Sequence, residues 1–284
     1  MPERPHLTVY SPEADVRSPL ALLRAIIRDF KASWEMAWVI VVRNIKGEYR
    51  QTVLGLIWAF LPPIATTLSF VLLESQSIIS ARGAGTHYGA YVMVGSLLWQ
   101  SFVDAVNSPL KMVQSSISML SSVHFPREAL ILAGVGECLF NFGIRLLLLL
   151  AVFFYYDLAL PASLPLGLAA VLVILIAGLV IGLALIPLGM LYHDIEMGLG
   201  IALSFWFFIT PIAYATPDSG ILAVLNNWNP LSPLLTTARA WLLGTPTHEI
   251  GTFAGMTAAT LVLFVVALIA YRVAMPHIIK RTQD

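Results

Sequence analysis

The stretch 164–191, LPLGLAAVLVILIAGLVIGLALIPLGML, holds no charged side chain and decides the architecture. A helix needs roughly 20 consecutive apolar residues to cross the hydrocarbon core of a bilayer, and this stretch exceeds that. On the same criterion, further spans are expected at about Val53–Leu73, Tyr88–Val106, Ala129–Tyr155 and Thr252–Val273. Leu199–Tyr214 is short, but Pro211 and the run Phe205-Trp206-Phe207-Phe208 suit a helix that ends at a membrane interface. The expected fold is therefore all-α and integral to the membrane, with six spans. Between the last two, Ala215–Ile250 is proline-rich, with apolar pieces at Ile221–Leu225, Leu231–Leu235 and Ala240–Leu243. These are too short to cross and read as re-entrant or interfacial helices, tolerated where packed on protein or beside a wet cavity.

Composition agrees. The 284 residues are 58% hydrophobic and 11% charged, with a mean hydropathy of +0.82. A soluble domain carries about a quarter charged residues, so too little polar surface remains for a water-soluble globule. Zero net charge gives a nucleic-acid partner no support. The one cysteine, Cys138, excludes an internal disulfide and a cysteine-based zinc site. The polar start through Arg17 argues against a removable secretory leader.

Lysine and arginine set the expected orientation. Arg4, Arg17, Arg24, Arg28, Lys31, Arg43, Lys46 and Arg50 precede the first span. Lys111 and Arg127 lie in the second-to-third connection, and Arg272, Lys280 and Arg281 close the chain. The opposite side has Arg82 and Arg239 alone, which puts both termini in the cytoplasm and requires an even number of crossings. Residues 1–52 form the cytoplasmic N-terminal region, 53–273 the membrane domain and 274–284 a cytoplasmic tail. Within the first region, Ser18 and Pro19 start a helix in which Leu20, Leu23, Ile27, Phe30, Trp34, Trp38, Val41 and Ile45 recur at steps of three and four. Such an amphipathic helix lies on the membrane surface, as an anchor or a docking element.

Chemistry-bearing motifs are sparse. No phosphate-binding G-x-x-x-x-G-K-[ST], H-E-x-x-H or G-x-S-x-G occurs, and the six histidines lack metal-ligand spacing. Asp104, Glu137 and Arg145 fall inside expected spans, where each charge costs about 2.5–3.5 kcal/mol on insertion scales. Structural pairing or a helix-end position is favoured over transport for them. Glu137 and Arg145 are too far apart along one helix to pair directly. Gly178 and Gly182 allow close helix approach, read as packing within one subunit rather than a dimer seam.

The motifs Arg43-Asn44-Ile45-Lys46, Tyr49-Arg50-Gln51-Thr52-Val53-Leu54-Gly55 with Trp58, and Phe125-Pro126-Arg127-Glu128 follow one another along the chain. Tyr192-His193-Asp194-Ile195, Thr210-Pro211-Ile212-Ala213-Tyr214 and Asn229-Pro230-Leu231 with Arg239 continue the series. Each is weak alone, but the ordered set, from about Leu20 to Arg272, resembles the membrane subunit of ABC-2 type polysaccharide exporters, the O-antigen, teichoic-acid and capsule permeases. Asn44 and His193 depart from that pattern, which has aspartate and arginine there. The resemblance implies a transport subunit of the bacterial inner membrane, not an enzyme. ATP and magnesium would be held by a separate cytoplasmic ATPase, present in two copies. Two copies of this chain would form a homodimer around a path for a lipid-linked glycan. ATPase coupling would fall to Arg43, Lys46, Tyr49, Arg50, Phe125, Pro126, Arg127, Glu128, Tyr192 and Asp194. Trp58, Tyr91, Trp99, Trp206 and Phe207 are the candidates for the substrate path, since aromatic faces stack on sugar rings. Three other readings compete: an exporter of a small hydrophobic compound, an intramembrane glycosyl or lipid transferase, and an ion-coupled transporter. Asp194 and Glu196 form a close acidic pair between expected spans, too little for a metal-dependent transferase, and paired intramembrane acids and inverted repeats are missing.

Overall fold

The computed structural model describes residues 33–47, 55, 57–77, 87–116, 128–192, 194–217, 219–247 and 249–283, with side chains through Met275. Among these residues there are helices and no strand. They are α1 (33–47), α2 (Ile57–Ser75), α3 (Tyr88–Ser115), α4 (Glu128–Tyr155), α5 (Leu164–Leu191), α6 (Asp194–Ile209), α7 (Ile221–Trp228), α8 (Leu231–Leu243) and α9 (Ile250–Gln283). Four of them, α2, α4, α5 and α9, are long and apolar enough to cross a membrane.

The two remaining expected spans differ in instructive ways. The helix α3 has 28 residues but is interrupted by polar side chains, and it is packed by α2, α4, α5 and α8. A helix so enclosed shows little surface to lipid and can carry amides and charges. It also runs past the expected end at Val106, so Lys111 sits in a helix rather than in a connection. The helix α6 has 16 residues, about 24 Å of rise, and stops where the chain leaves helical geometry at Thr210 and Pro211. Proline blocks continuation from the residue before it.

Three glycines of α5 let it lie against α3. A Cβ on Gly178 would stand 2.6 Å from the Cβ of Ala105 and 2.7 Å from the carbonyl oxygen of Phe102. On Gly182 it would collide with the Val106 carbonyl, and on Gly189 with Leu110. The glycine step thus serves packing inside one chain. Around this seam lies the main core, with Leu98, Phe102, Val106, Ile174, Leu179, Leu235 and Leu242.

A second core gathers one end of the bundle. Ala37, Ile40 and Val41 of α1 meet Met112 and Val113 of α3, Leu130 of α4, Ile186 of α5 and Tyr271 of α9. Trp34 and Trp38, expected on the apolar face of this helix, point outward and are 62% and 61% exposed. The helix is therefore apolar on two sides, one on the bundle and one turned away from it. At the other end, α7 and α8 occupy the proline-rich segment, and the expected pieces Leu231–Leu235 and Ala240–Leu243 join into the single helix α8. Gly244 ends α8 in the left-handed conformation (φ 70°), the geometry glycine adopts without steric cost.

Candidate functional site

Two polar stripes face each other in the membrane-like interior. On α3, Gln100, Asp104, Asn107 and Lys111 recur at steps of four, three and four, which places them on one face of the helix. Glu137, Asn141 and Arg145 do the same on α4 at steps of four. The start of α2 adds Gly55, Trp58 and Pro62, and together they enclose a chamber of about 580 Å³.

Arg145 organises the chamber wall. Its Nη2 donates to Asp104 Oδ2 at 2.6 Å, crossing from α4 to α3. Gln100 Nε2 donates to the other carboxylate oxygen of Asp104 at 3.2 Å. Arg145 therefore finds its counter-charge on the neighbouring helix, as structural pairing requires. Its side chain is 5% exposed, yet Nε and Nη1 have no acceptor among the described residues. A buried unsatisfied donor costs about 1–3 kcal/mol, more when charged. Asn107 Nδ2 donates to the Val103 carbonyl at 2.8 Å, which leaves its own amide oxygen for other donors. Lys111 is exposed. Among the described residues that line the chamber, two cations, Lys111 and Arg145, balance two carboxylates, Asp104 and Glu137.

A second polar assembly lies at the opposite end of α3 and is closed. Arg239 Nη1 donates to the carbonyls of Pro211 and Ile212, each at 2.9 Å, and its guanidinium lies 3.6 Å over the Tyr91 ring. Tyr88 and Tyr91 donate to the carbonyls of Ala213 and Tyr214. Asn229 donates to Thr210 Oγ1 and accepts from Trp206 Nε1 and the Leu231 amide. Two motifs distant in sequence, 210–214 and 229–239, thus form one hydrogen-bonded knot against α3. Arg239, counted with Arg82 on the side opposite the termini, is 3% exposed within α8 and holds this knot together.

The candidate path aromatics divide accordingly. Trp58 is 53% exposed and is the one of the five that lines the chamber. Trp99 is 6% exposed and packs edge-on against Trp206 and Phe207, with ring centroids 6.5 and 5.7 Å apart. Phe207 also meets Phe70 at 6.3 Å. In the aromatic run of α6, the side chains that point away are Phe205 and Phe208.

Of the residues expected to couple to an ATPase, Arg43 and Lys46 are exposed on α1. Glu128 opens α4, 3.8 Å from Arg272 of α9. Tyr192 is exposed between α5 and α6, and Asp194 occupies the first turn of α6, where a helix favours negative charge. These described members sit at the end of the bundle that α1 covers. Tyr49, Arg50, Phe125, Pro126 and Arg127 lie outside the described residues. No group of three or more His, Cys, Asp or Glu side chains that could hold a metal ion occurs among the described residues.

Gln100, Asn107, Lys111 and Asn141 were not among the expected site residues. Their signal was present, since polar residues repeated at helical spacing inside two apolar spans mark a wet or protein-facing side.

No family model matches the chain. It is similar to the O-antigen export system permease protein RfbA of Myxococcus xanthus, with 27% identity over 204 residues, 71% of this chain and 77% of the relative. Two proteins of the same description from Klebsiella pneumoniae are each 21% identical. One match covers 72% of this chain and 79% of the relative, the other 76% and 83%. These relatives are permease subunits of export systems, transport components rather than enzymes. The resemblance carried by the ordered motifs is borne out: the chain is similar to O-antigen export permeases.

Proposed function

We propose that this chain is the transmembrane subunit of an ABC transporter that exports an O-antigen-like, lipid-linked polysaccharide across the bacterial inner membrane. The observation that carries it is the similarity to three O-antigen export permeases over about three quarters of the chain. Hydrolysis of ATP with magnesium belongs to a separate cytoplasmic subunit, bound in two copies. All six segments, α2 to α6 and α9, cross the bilayer, while α7 and α8 re-enter from the outer side and α1 rests on the cytoplasmic face with both termini. The chain acts as a homodimer, because six helices of one chain barely surround a polymer-wide path and a two-fold pair can. The exposed apolar side chains of α2 and α6, such as Leu68, Leu72, Phe205 and Phe208, support a further copy or lipid on those faces. Arg43, Lys46, Glu128, Tyr192 and Asp194, with the neighbouring Tyr49, Arg50, Phe125, Pro126 and Arg127, meet the ATPase. Trp58, Tyr91, Trp99, Trp206 and Phe207 remain the path candidates, with Trp58 supported best by its exposure. The amide and charged side chains along part of the chamber favour a polar cargo over a small hydrophobic one.

The test is a deletion of the gene in its native host. Loss of surface glycan, accumulation of the lipid-linked glycan in the cytoplasmic leaflet, and recovery of both by the plasmid-borne gene are expected. Unchanged surface glycan in the deletion strain would overturn the reading. Affinity-purified protein should carry an ATPase subunit and have the mass of two copies of each chain.

A further inference from the structure

We infer that the chamber between α2, α3 and α4 is a sugar-binding subsite, which holds a short stretch of the glycan as it enters the transporter. This rests on the proposed export function and assigns it a specific place within each protomer. The volume of about 580 Å³ falls inside the ~300–1,000 Å³ range of small-molecule sites. Its lining fits a polyol. Every sugar hydroxyl both donates and accepts, and the wall supplies the exposed ammonium of Lys111 as donor beside the amide oxygen of Asn107 as acceptor. Trp58, half exposed at the start of α2, offers a flat face for stacking against a pyranose ring.

Charge distinguishes a sugar from the phosphate of a lipid carrier. A phosphate site needs surplus positive charge, whereas among the described lining residues two cations are matched by two carboxylates and Arg145 is already engaged by Asp104. The chamber also adjoins the end of the bundle where α1, the start of α4 and the end of α3 meet. On the proposed topology that is the cytoplasmic side, from which the glycan is loaded.

The experiment uses the full transporter in exporting cells. A photoreactive benzophenone side chain replaces Asn107 or Lys111 in the chamber, or Leu147, which is exposed on α4 outside it. Irradiation should produce glycan-bearing adducts at Asn107 and Lys111 and none at Leu147. In parallel, Asn107→Ala and Trp58→Ala should lower export per membrane-inserted molecule about tenfold with ATPase association retained, while Trp58→Phe stays close to wild type. Adducts that carry lipid but no sugar, or wild-type export by both alanine variants, would overturn the subsite. So would glycan adducts confined to Leu147. If a crosslinking variant does not export, the alanine series decides alone. A deletion strain with normal surface glycan would instead remove the export function, a separate failure.

Discussion

Two arginines are buried almost equally, Arg239 at 3% and Arg145 at 4% exposure, and they do different work. Arg239 has its charge spread over two carbonyls and an aromatic face, and none of its donors is left buried without a partner. Arg145 has one short bond to Asp104 at the chamber wall, and its Nε and Nη1 are buried without acceptors among the described residues. A burial value alone would rank them together. Satisfaction separates them: a complete network secures the fold, and an incomplete one contributes less to it.

The largest effect that would sharpen this contrast is expected for Arg239→Ala. It removes two hydrogen bonds from a charged donor, about 1.5–3 kcal/mol each, and a cation–π contact of about 0.5–2 kcal/mol. The expected outcome is loss of most folded protein from the membrane fraction, read as yield and as the melting temperature of the detergent-solubilised remainder. Arg145→Met should leave the yield near wild type, because Asp104 borders the chamber and can be hydrated. Equal losses from the two changes would break the comparison.

A middle effect is expected for Asp104→Ala, which strands the guanidinium of Arg145. Removing one partner of a buried pair costs about 3–5 kcal/mol in dry interiors, and the chamber reduces that to about 1–3 kcal/mol. The double change Asp104→Ala with Arg145→Met should recover part of the lost melting temperature. If the double variant melts below Asp104→Ala alone, the pair is not where the destabilisation arises.

Smallest is Tyr91→Phe, which deletes one hydrogen bond to the Tyr214 carbonyl and keeps the ring beneath Arg239. A decrease of about 1 kcal/mol is expected, seen as a small fall in melting temperature with export per molecule unchanged. A collapse like that of Arg239→Ala would mean that the hydroxyl, not the ring, secures the knot.

The same contrast explains the aromatics. Among the path candidates, Trp99, Trp206 and Phe207 pack together at 5.7–6.5 Å and Tyr91 lies beneath Arg239, whereas Trp58 is half exposed. Aromatic side chains are large apolar bodies first, and a fold this tightly knit uses them as such. Which aromatic faces an opening depends on how neighbouring helices are rotated, and periodicity within one helix does not contain that rotation.

The sequence by itself determined that the chain is helical and suited to a membrane, because long charge-free runs have no other stable place. It also determined the family resemblance, the helix end before Pro211 and the close approach at Gly178 and Gly182. The last two act through one backbone, so they are written locally. Only the tertiary structure decided that α3 is enclosed, that Arg145 answers Asp104 across 41 positions of sequence, and that the motifs around Thr210 and Arg239 form a single knot. Those pairings depend on which faces of different helices meet. A polar stripe marks the side of a helix that must avoid lipid, but its partner is chosen by packing, since only assembly brings two stripes together around one chamber.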